Sequence, residues 1–273
     1  MPAREVTGTQ SLAMLEKAVG VGSLIASRMD VNRSEKHSFA VKKDEFGSKL
    51  SRDKIDLIDF AFTSLKAHSF SDLGGIWRVN GGYTFYALAK YDIASAVLVD
   101  TSPTVIFKKQ SENYKQLRFI HGNFGNERVA RDVGQVDVIF LFDVLLHQVA
   151  PDWDEVLEMY APQAQCLAIY NPQWVRSNRT LRLLELGEKE YFQNVPHTPT
   201  GALYDNLFQK LTLIHPSHGR PWKDIHAIWQ WGITDSDLQS KMQALGFQIQ
   251  FYKNCGNFGN LKNFENHAYV FSR

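Results

Sequence analysis

The sequence predicts an α/β fold: a doubly wound sheet, mostly parallel, with an antiparallel C-terminal strand. Three observations carry that prediction. Between residues 69 and 172 short apolar runs alternate with helical ones, and Val136–Phe142 is apolar almost throughout, as a strand covered on both faces should be. A glycine-rich stretch, Asp72-Leu73-Gly74-Gly75 through Gly81-Gly82, joins the first such run to a helix, and the next run, Ala96–Asp100, ends in a carboxylate. Residues 234–273 finish the chain as helix, glycine, strand, loop and strand.

Each element follows in order. Thr9–Val19 has helical spacing that Gly20 and Gly22 end, and Asn32–Lys43 is polar, with Phe39 and Val41 alternating like a short strand or ordered loop. Ser51 offers an N-cap to a helix over Ile55–Leu65. Residues 1–68 therefore form a helical leader, either cladding on the sheet or a lid over its mouth. Thr84–Tyr91 is the first crossover helix, and Pro103 stands where a second would open. Leu117–Phe124 gives a third strand and its exit loop, Val136–Phe142 a fourth, and Gln165–Tyr170 a fifth that Asn171-Pro172 ends. Trp153–Tyr160 reads as the helix between the last two.

Residues 173–233 break this rhythm. Arg179–Gly187 and Leu203–Leu213 look helical, with His197 in the irregular loop between them and His215 and His218 in another irregular segment after the second. Four of the six tryptophans, Trp174, Trp222, Trp229 and Trp231, fall here. An insertion at the ligand-facing end of a sheet is where substrate recognition is built, so this segment is a substrate cap whose tryptophans line a pocket or glue the insert to the sheet. Thr234 then caps Leu238–Leu245, Gly246 ends that helix, and Phe247–Tyr252 and His267–Phe271 are strands joined by a loop over Asn254–Asn260.

Composition narrows the class. The chain has 273 residues, 44% hydrophobic and 22% charged, with a net charge of +1. That balance supplies no electrostatic reason to bind nucleic acid or an anionic membrane. Two cysteines cannot build a disulfide framework or a cysteine-rich zinc site, and no apolar run approaches the roughly 20 residues needed to span a bilayer. With an N-terminus unlike a secretory signal, the expected location is the cytoplasm. There is no Gly-x-Ser-x-Gly elbow and no phosphate-binding loop ending in Gly-Lys-Ser/Thr. His215, His218 and His226 lack the regular spacing of metal ligands on a helix, so no metal is expected.

The acids decide which ligand suits the glycine loop. A pyrophosphate would be repelled by a carboxylate at the end of the first strand, where Asp72 stands; an ammonium or sulfonium group would be welcomed. From Gly82 to Asp100 is 18 positions, close to the ~20 expected between a glycine turn and an acid that accepts ribose hydroxyls. The stretch resembles the first motif of class I S-adenosylmethionine-dependent methyltransferases. That resemblance implies a Rossmann-like core over residues 69–172 and 234–273, with S-adenosylmethionine as cofactor and a small organic molecule as methyl acceptor, most simply at oxygen. It also implies roles: Asp72, Gly74 and Gly75 around the methionine moiety, Asp100 at the ribose hydroxyls, Asn123 and Phe124 at the adenine, with Gly82 and Thr101 also among the cofactor-binding residues. The run Phe142-Asp143-Val144-Leu145-Leu146-His147 resembles the segment after the fourth strand of many small-molecule methyltransferases, placing Asp143 at the cofactor and His147 as a general base or a loop-orienting group. The six residues Ile76–Gly81 lengthen the first loop beyond the usual pattern, and are expected to cover the methionine end. The rival readings are a non-catalytic cofactor-binding scaffold and a nicotinamide-dependent oxidoreductase, the latter disfavoured by Asp72.

Overall fold

The computed structural model describes residues 50–273; the helix expected over Thr9–Val19 and the polar stretch Asn32–Lys43 lie outside them. Seven strands form the main sheet: β1 (Ser69–Leu73), β2 (Ser95–Asp100), β3 (Leu117–His121), β4 (Val136–Phe142), β5 (Ala164–Trp174), β8 (Gln248–Phe258) and β9 (Leu261–Ser272). Their order is β3-β2-β1-β4-β5-β9-β8, and every pairing up to β5 is parallel. β9 alone runs against its neighbours on both sides. The order reverses between β1 and β4, which places a crevice at their C-terminal ends.

Strand alternation sorts the core into two layers. Phe70, Leu98, Val138, Phe140, Ala168 and Val270 face one layer, shared with α1 (Arg52–Thr63), α2 (Gly82–Lys90) and α3 (Val105–Ser111). Leu73, Val99, Ile139, Leu141, Ile169 and Phe271 face the other, shared with α4 (Glu127–Val133), α5 (Trp153–Tyr160) and α8 (Asp235–Ala244). Near-continuous apolar strands are the price of covering a parallel sheet on both sides. Between β5 and α8 lie two short helices, α6 (Glu188–Asn194) and α7 (Leu207–Lys210), and a two-residue ladder of β6 (Leu181–Arg182) with β7 (Trp231–Gly232). They enclose a third apolar cluster around Trp174, Tyr191, Trp229 and Phe264.

Several elements depart from the sequence reading. β5 does not stop at Asn171-Pro172 but runs on to Trp174, pairing with β9 through Pro172↔Asn266. β4 has already ended at Phe142↔Tyr170, so the imino nitrogen of Pro172 faces no ladder on that side. The loop expected over Asn254–Asn260 is mostly strand: β8 continues to Phe258, with a register shift between Asn254 and Asn257 where the Asn254 side chain accepts from the Gly256 amide. The helical spacing of Arg179–Gly187 resolves into β6 and a 3-10 turn, and Leu203–Leu213 holds only the four residues of α7. In these short segments apolar spacing reflects burial in the third cluster, not a regular helix.

α1 is bonded into the structure at many points. Leu57, Ile58 and Ala61 are fully buried, the Ser51 amide donates to the Tyr83 hydroxyl (2.9 Å), and Lys253 of β8 reaches Asp53 (2.8 Å) and Asp56 (3.3 Å). Ile58→Ala is therefore expected to cost about 2–5 kcal/mol in urea denaturation, as for other buried aliphatic truncations. A loss below about 1 kcal/mol would mean that α1 detaches at little cost, as a lid would.

Candidate active site

The candidate site lies where β1, β2 and β4 end. Alternation along β1 turns Asp72 toward the α1–α2 layer, where its carboxylate is buried and accepts from the Thr84 hydroxyl of α2 at 2.7 Å. Burial pushes its pKa up to about 6; Thr84 and Lys54 oppose that rise, and Asp100 adds to it. The carboxylate folds back beneath Gly75, where an added Cβ would lie 2.2 Å from Oδ2, so only glycine fits. Gly74 takes φ +80° and donates to the Val99 carbonyl at 2.8 Å, carrying the ladder one residue past the strand. Val144 and Phe124 close on Gly74 from the other side, 2.9 and 3.5 Å from where a Cβ would stand.

Asp100 ends β2 and ties two loops together. One carboxylate oxygen accepts from the Ile76 amide (3.0 Å), the other from the Ser102 amide (2.9 Å). A carboxylate has about four acceptor positions, so capacity for further donors remains. The loop Ile76–Gly81 is a wound turn: Asn80 donates to Ile76 (2.7 Å) and Gly81 to Gly75 (3.0 Å). Arg78, Asn80 and Gly81 all have positive φ. Side-chain bonding of Asn80 to Thr104 (2.9 Å) and the Ile76 contact with Asp100 place this loop over the end of β2. Trp77 is 70% exposed, with the Arg78 guanidinium 4.3 Å from its ring centre. The demanding glycine at the start of α2 is Gly81, wedged against Phe107 and Phe85 at φ +80°; Gly82 begins the helix behind it.

The remaining predicted residues divide. Thr101 is exposed, and its carbonyl meets the His121 ring at 3.0 Å. Asn123 accepts from the Gly125 amide through its side-chain oxygen (2.8 Å), making a local turn, while Phe124 is buried and its carbonyl takes the Tyr160 hydroxyl (2.8 Å). Asp143, one residue past β4, has φ +58° and donates its amide to Tyr170 of β5 at 2.7 Å. One carboxylate oxygen pairs with Lys54; the other, Oδ1, is enclosed and has no partner among the described residues.

His147 closes a 3-10 turn that follows. Its Nδ1 lies 2.9 Å from the Ile228 carbonyl of the insert. A carbonyl can only accept, so the proton is on Nδ1 and Nε2 keeps its lone pair. Burial lowers the imidazole pKa, with the Ile228 bond and Asp143 opposing, and the ring is neutral at pH 7. Trp229 stands edge-on to it, 6.3 Å between ring centres. Across the insert, His197 stacks on Tyr204 at 4.6 Å and lies within the electrostatic reach of Arg78, and the buried Tyr204 hydroxyl has no partner among the described residues. The site thus combines buried carboxylates, a cation and a neutral imidazole base. Among the described residues no three His, Cys, Asp or Glu side chains meet as a metal site would require.

Lys54, Tyr83 and Tyr170 escaped the sequence reading. One signal was available for the first: a lysine in the opening turn of a helix works against the helix dipole, so something else must hold it there.

No family model matches the chain, and neither does any curated protein. Solved structures do. The N-terminal domain of EvdMO1, studied in the presence of S-adenosylhomocysteine and D-fucose, aligns with a TM-score of 0.52 at 11% identity over 93% of this chain and 96% of that one. Magnesium protoporphyrin IX methyltransferase from Synechocystis PCC 6803, with bound S-adenosylhomocysteine, aligns with a TM-score of 0.51 at 11% identity over 96% of this chain and 100% of that one. The fold is that of the class I S-adenosylmethionine-dependent methyltransferases. An O-methyltransferase family protein from Burkholderia thailandensis aligns at a TM-score of 0.49 and 14% identity over 83% of this chain; it is longer, and this chain spans 57% of it. In the class I methyltransferase fold found here, Asp72, Gly74, Gly75, Asp100, Asp143 and His147 all stand at the strand ends bordering the β1–β4 crevice.

The raised pKa of Asp72 has a testable sign. The folded protein retains a proton that the unfolded chain releases, so stability falls as pH rises from about 4 to about 6 and stays lowered above. Asp72→Asn keeps the acceptor for Thr84 and removes the buried charge. The ligand-free variant should be more stable than the parent at pH 7, by on the order of 1–3 kcal/mol, with the gain fading toward pH 4. Urea titrations across that range check it; an Asn variant that is less stable at pH 7 would show that Lys54 outweighs burial.

Proposed function

We propose that this protein is an S-adenosylmethionine-dependent methyltransferase acting on a small organic molecule, at oxygen. The observation that carries the proposal is the pair of carboxylates at adjacent strand ends: Asp72 buried beneath Gly75, and Asp100 anchoring the loop above it. A phosphate-bearing ligand would meet repulsion from Asp72, whereas a sulfonium nucleoside would meet attraction from Asp72 and hydroxyl acceptors on Asp100. Asp143 is partly exposed, and its enclosed Oδ1, without a partner among the described residues, is one more acceptor that such a ligand can satisfy. Structures sharing this fold hold S-adenosylhomocysteine, the product of such a transfer, which supports the same cofactor here. The net charge of +1 supports a small acceptor over nucleic acid.

When bound, the cofactor supplies an electrophilic methyl group on a sulfonium whose C–S bond breaks as the acceptor oxygen attacks. The chain's own contribution is placement and proton removal. Asp100, Gly74, Phe124 and Val144 shape the nucleoside end, and the Ile76–Gly81 loop lies over the ribose side instead of the methionine end expected from the sequence, because Ile76 and Asn80 tie it to Asp100 and Thr104 at the end of β2. His147 Nε2, neutral and held by Ile228, takes the proton of an acceptor hydroxyl as the new C–O bond forms. Residues 173–233, carrying His197, Tyr204 and Trp229, wall off the acceptor and exclude water.

Isothermal titration with S-adenosylhomocysteine is the direct test. Folded protein that does not bind it would refute the proposal. Asp100→Ala should weaken binding about tenfold or more, the worth of a lost charge-assisted hydrogen bond. His147→Ala should leave that affinity intact and lower turnover of hydroxyl acceptors by about 10²–10⁴-fold. Because His147 must be neutral to act, kcat/KM should fall on the acid side through a pKa below the usual 6.5 of histidine. Turnover unaffected by the substitution would leave His147 a loop-orienting residue.

A further inference from the structure

The long first loop carries a cation for which cofactor binding has no evident use. Ile76–Gly81 is anchored twice, by Ile76 to Asp100 and by Asn80 to Thr104. Between those anchors Arg78 holds a left-handed backbone, φ +62°, which disfavours any residue with a Cβ. Its guanidinium lies over Trp77, 4.3 Å from the ring centre. A guanidinium seated on an aromatic face keeps its N–H edge outward, where it can meet an oxyanion. Arg52, Arg131, Arg176 and Arg182 each pair with a carboxylate, whereas Arg78 has no such partner among the described residues.

The insert completes the setting. His197 lies within electrostatic reach of both Arg78 and His147, and no carboxylate among the described residues acts on it. Burial and Arg78 both lower its pKa, so the ring is neutral at pH 7 and offers one N–H donor. It stacks on Tyr204, whose buried hydroxyl is a further donor with no partner among the described residues. Beside His147, Trp229 and Phe258 meet at 5.2 Å between ring centres and supply flat apolar walls. The acids of the crevice, Asp72, Asp100 and Asp143, would turn an anion away, so an anionic acceptor needs a cation at the rim. One guanidinium matches one carboxylate, whereas a phosphate monoester would bring close to two charges. Resting on the methyltransferase reading above, we propose that the methyl acceptor is a hydroxylated aromatic carboxylate: Arg78 and His197 donate to its carboxylate, Trp229 and Phe258 flank its ring, and its hydroxyl lies at His147 Nε2. Arg78 is then a specificity residue, and the added residues of the first loop serve to carry it to the rim.

The test titrates protein loaded with S-adenosylhomocysteine against acid and amide pairs. The acids are 3,4-dihydroxybenzoate, 4-hydroxycinnamate and 3-hydroxy-2-naphthoate; each primary amide keeps the ring and hydroxyl and loses the charge. Wild type should bind at least one acid about tenfold or more tighter than its amide, a preference that shrinks as salt rises. Arg78→Met should bring that pair within about twofold, and Arg78→Glu should reverse the preference. Arg78 is exposed, so both variants should fold, and the wild-type preference can be read without them. S-adenosylhomocysteine affinity within about threefold of wild type reports an intact loop. A loss of that affinity in Arg78→Met as large as the loss of acid affinity would assign Arg78 to the cofactor and overturn the proposal. A loaded wild type that is indifferent to the carboxylate, or binds no member of the panel, would overturn it too. A folded wild type that does not take up S-adenosylhomocysteine would instead overturn the methyltransferase reading itself.

Discussion

The buried carboxylate of Asp72 is the constraint on which the rest of the site depends. An acid at the end of β1 with no water to solvate it must be met by donors and cations from elsewhere in the chain. Thr84 supplies a hydroxyl from α2, which fixes how closely the helix approaches the strand. Lys54 supplies charge from α1, which draws a segment far from the glycine loop in sequence into the same layer. Gly75 supplies room, since any side chain there would collide with the carboxylate. The glycine requirement at this position thus follows from a neighbouring acid as much as from a ligand. A group that lowers stability in the ligand-free protein is retained here at the focus of the fold, the usual sign that a structure has been shaped by what it binds.

The parts legible in the sequence are those in which chain position and spatial position coincide. A parallel strand covered on both faces must be apolar along its length, so β4 announced itself, and residues immediately after a strand lie at its end, so Asp72, Asp100 and His147 could be placed on the crevice. Spacing failed where burial is set by tertiary packing. The apolar positions of Arg179–Gly187 mimic a helix because Leu183 and Leu184 face the third cluster, although the backbone there is a short strand and a 3-10 turn. Pro172 suggested an end to β5, and the strand continued because its missing donor falls where β4 has stopped. Lys54, Tyr83 and Tyr170 come from α1, α2 and β5, and no local pattern brings three such elements to one point.

The tryptophans of residues 173–233 illustrate how packing and chemistry share side chains. Trp174 and Trp229 are buried against Phe264, 5.1 and 5.3 Å between ring centres, and join the insert to β5 and β9. Gly232 is pressed against Trp174, and the Trp231 indole donates to the Gln148 carbonyl at 2.6 Å. The same cluster presents the edge of Trp229 to His147, and the Ile228 carbonyl just before it sets the imidazole tautomer. Rigid apolar packing therefore fixes which nitrogen of His147 carries a lone pair, a property that packing alone does not visibly concern.

Charge movement explains why the base of the proposed reaction is set between opposing influences. In a transfer from sulfonium to hydroxyl, positive charge disappears at sulfur and reappears, as a proton, on His147. A base in a wholly apolar pocket would start neutral but resist that proton; one beside an unshielded carboxylate would accept it too early. Burial lowers the affinity of His147 for a proton, while Asp143 and the Ile228 carbonyl raise it. Asp143 faces Lys54 through one oxygen, so its field at His147 is partly offset. Lys54 thus tempers the carboxylate that would otherwise favour protonation of His147, so the Lys54–Asp143 pair and the imidazole are electrostatically one unit.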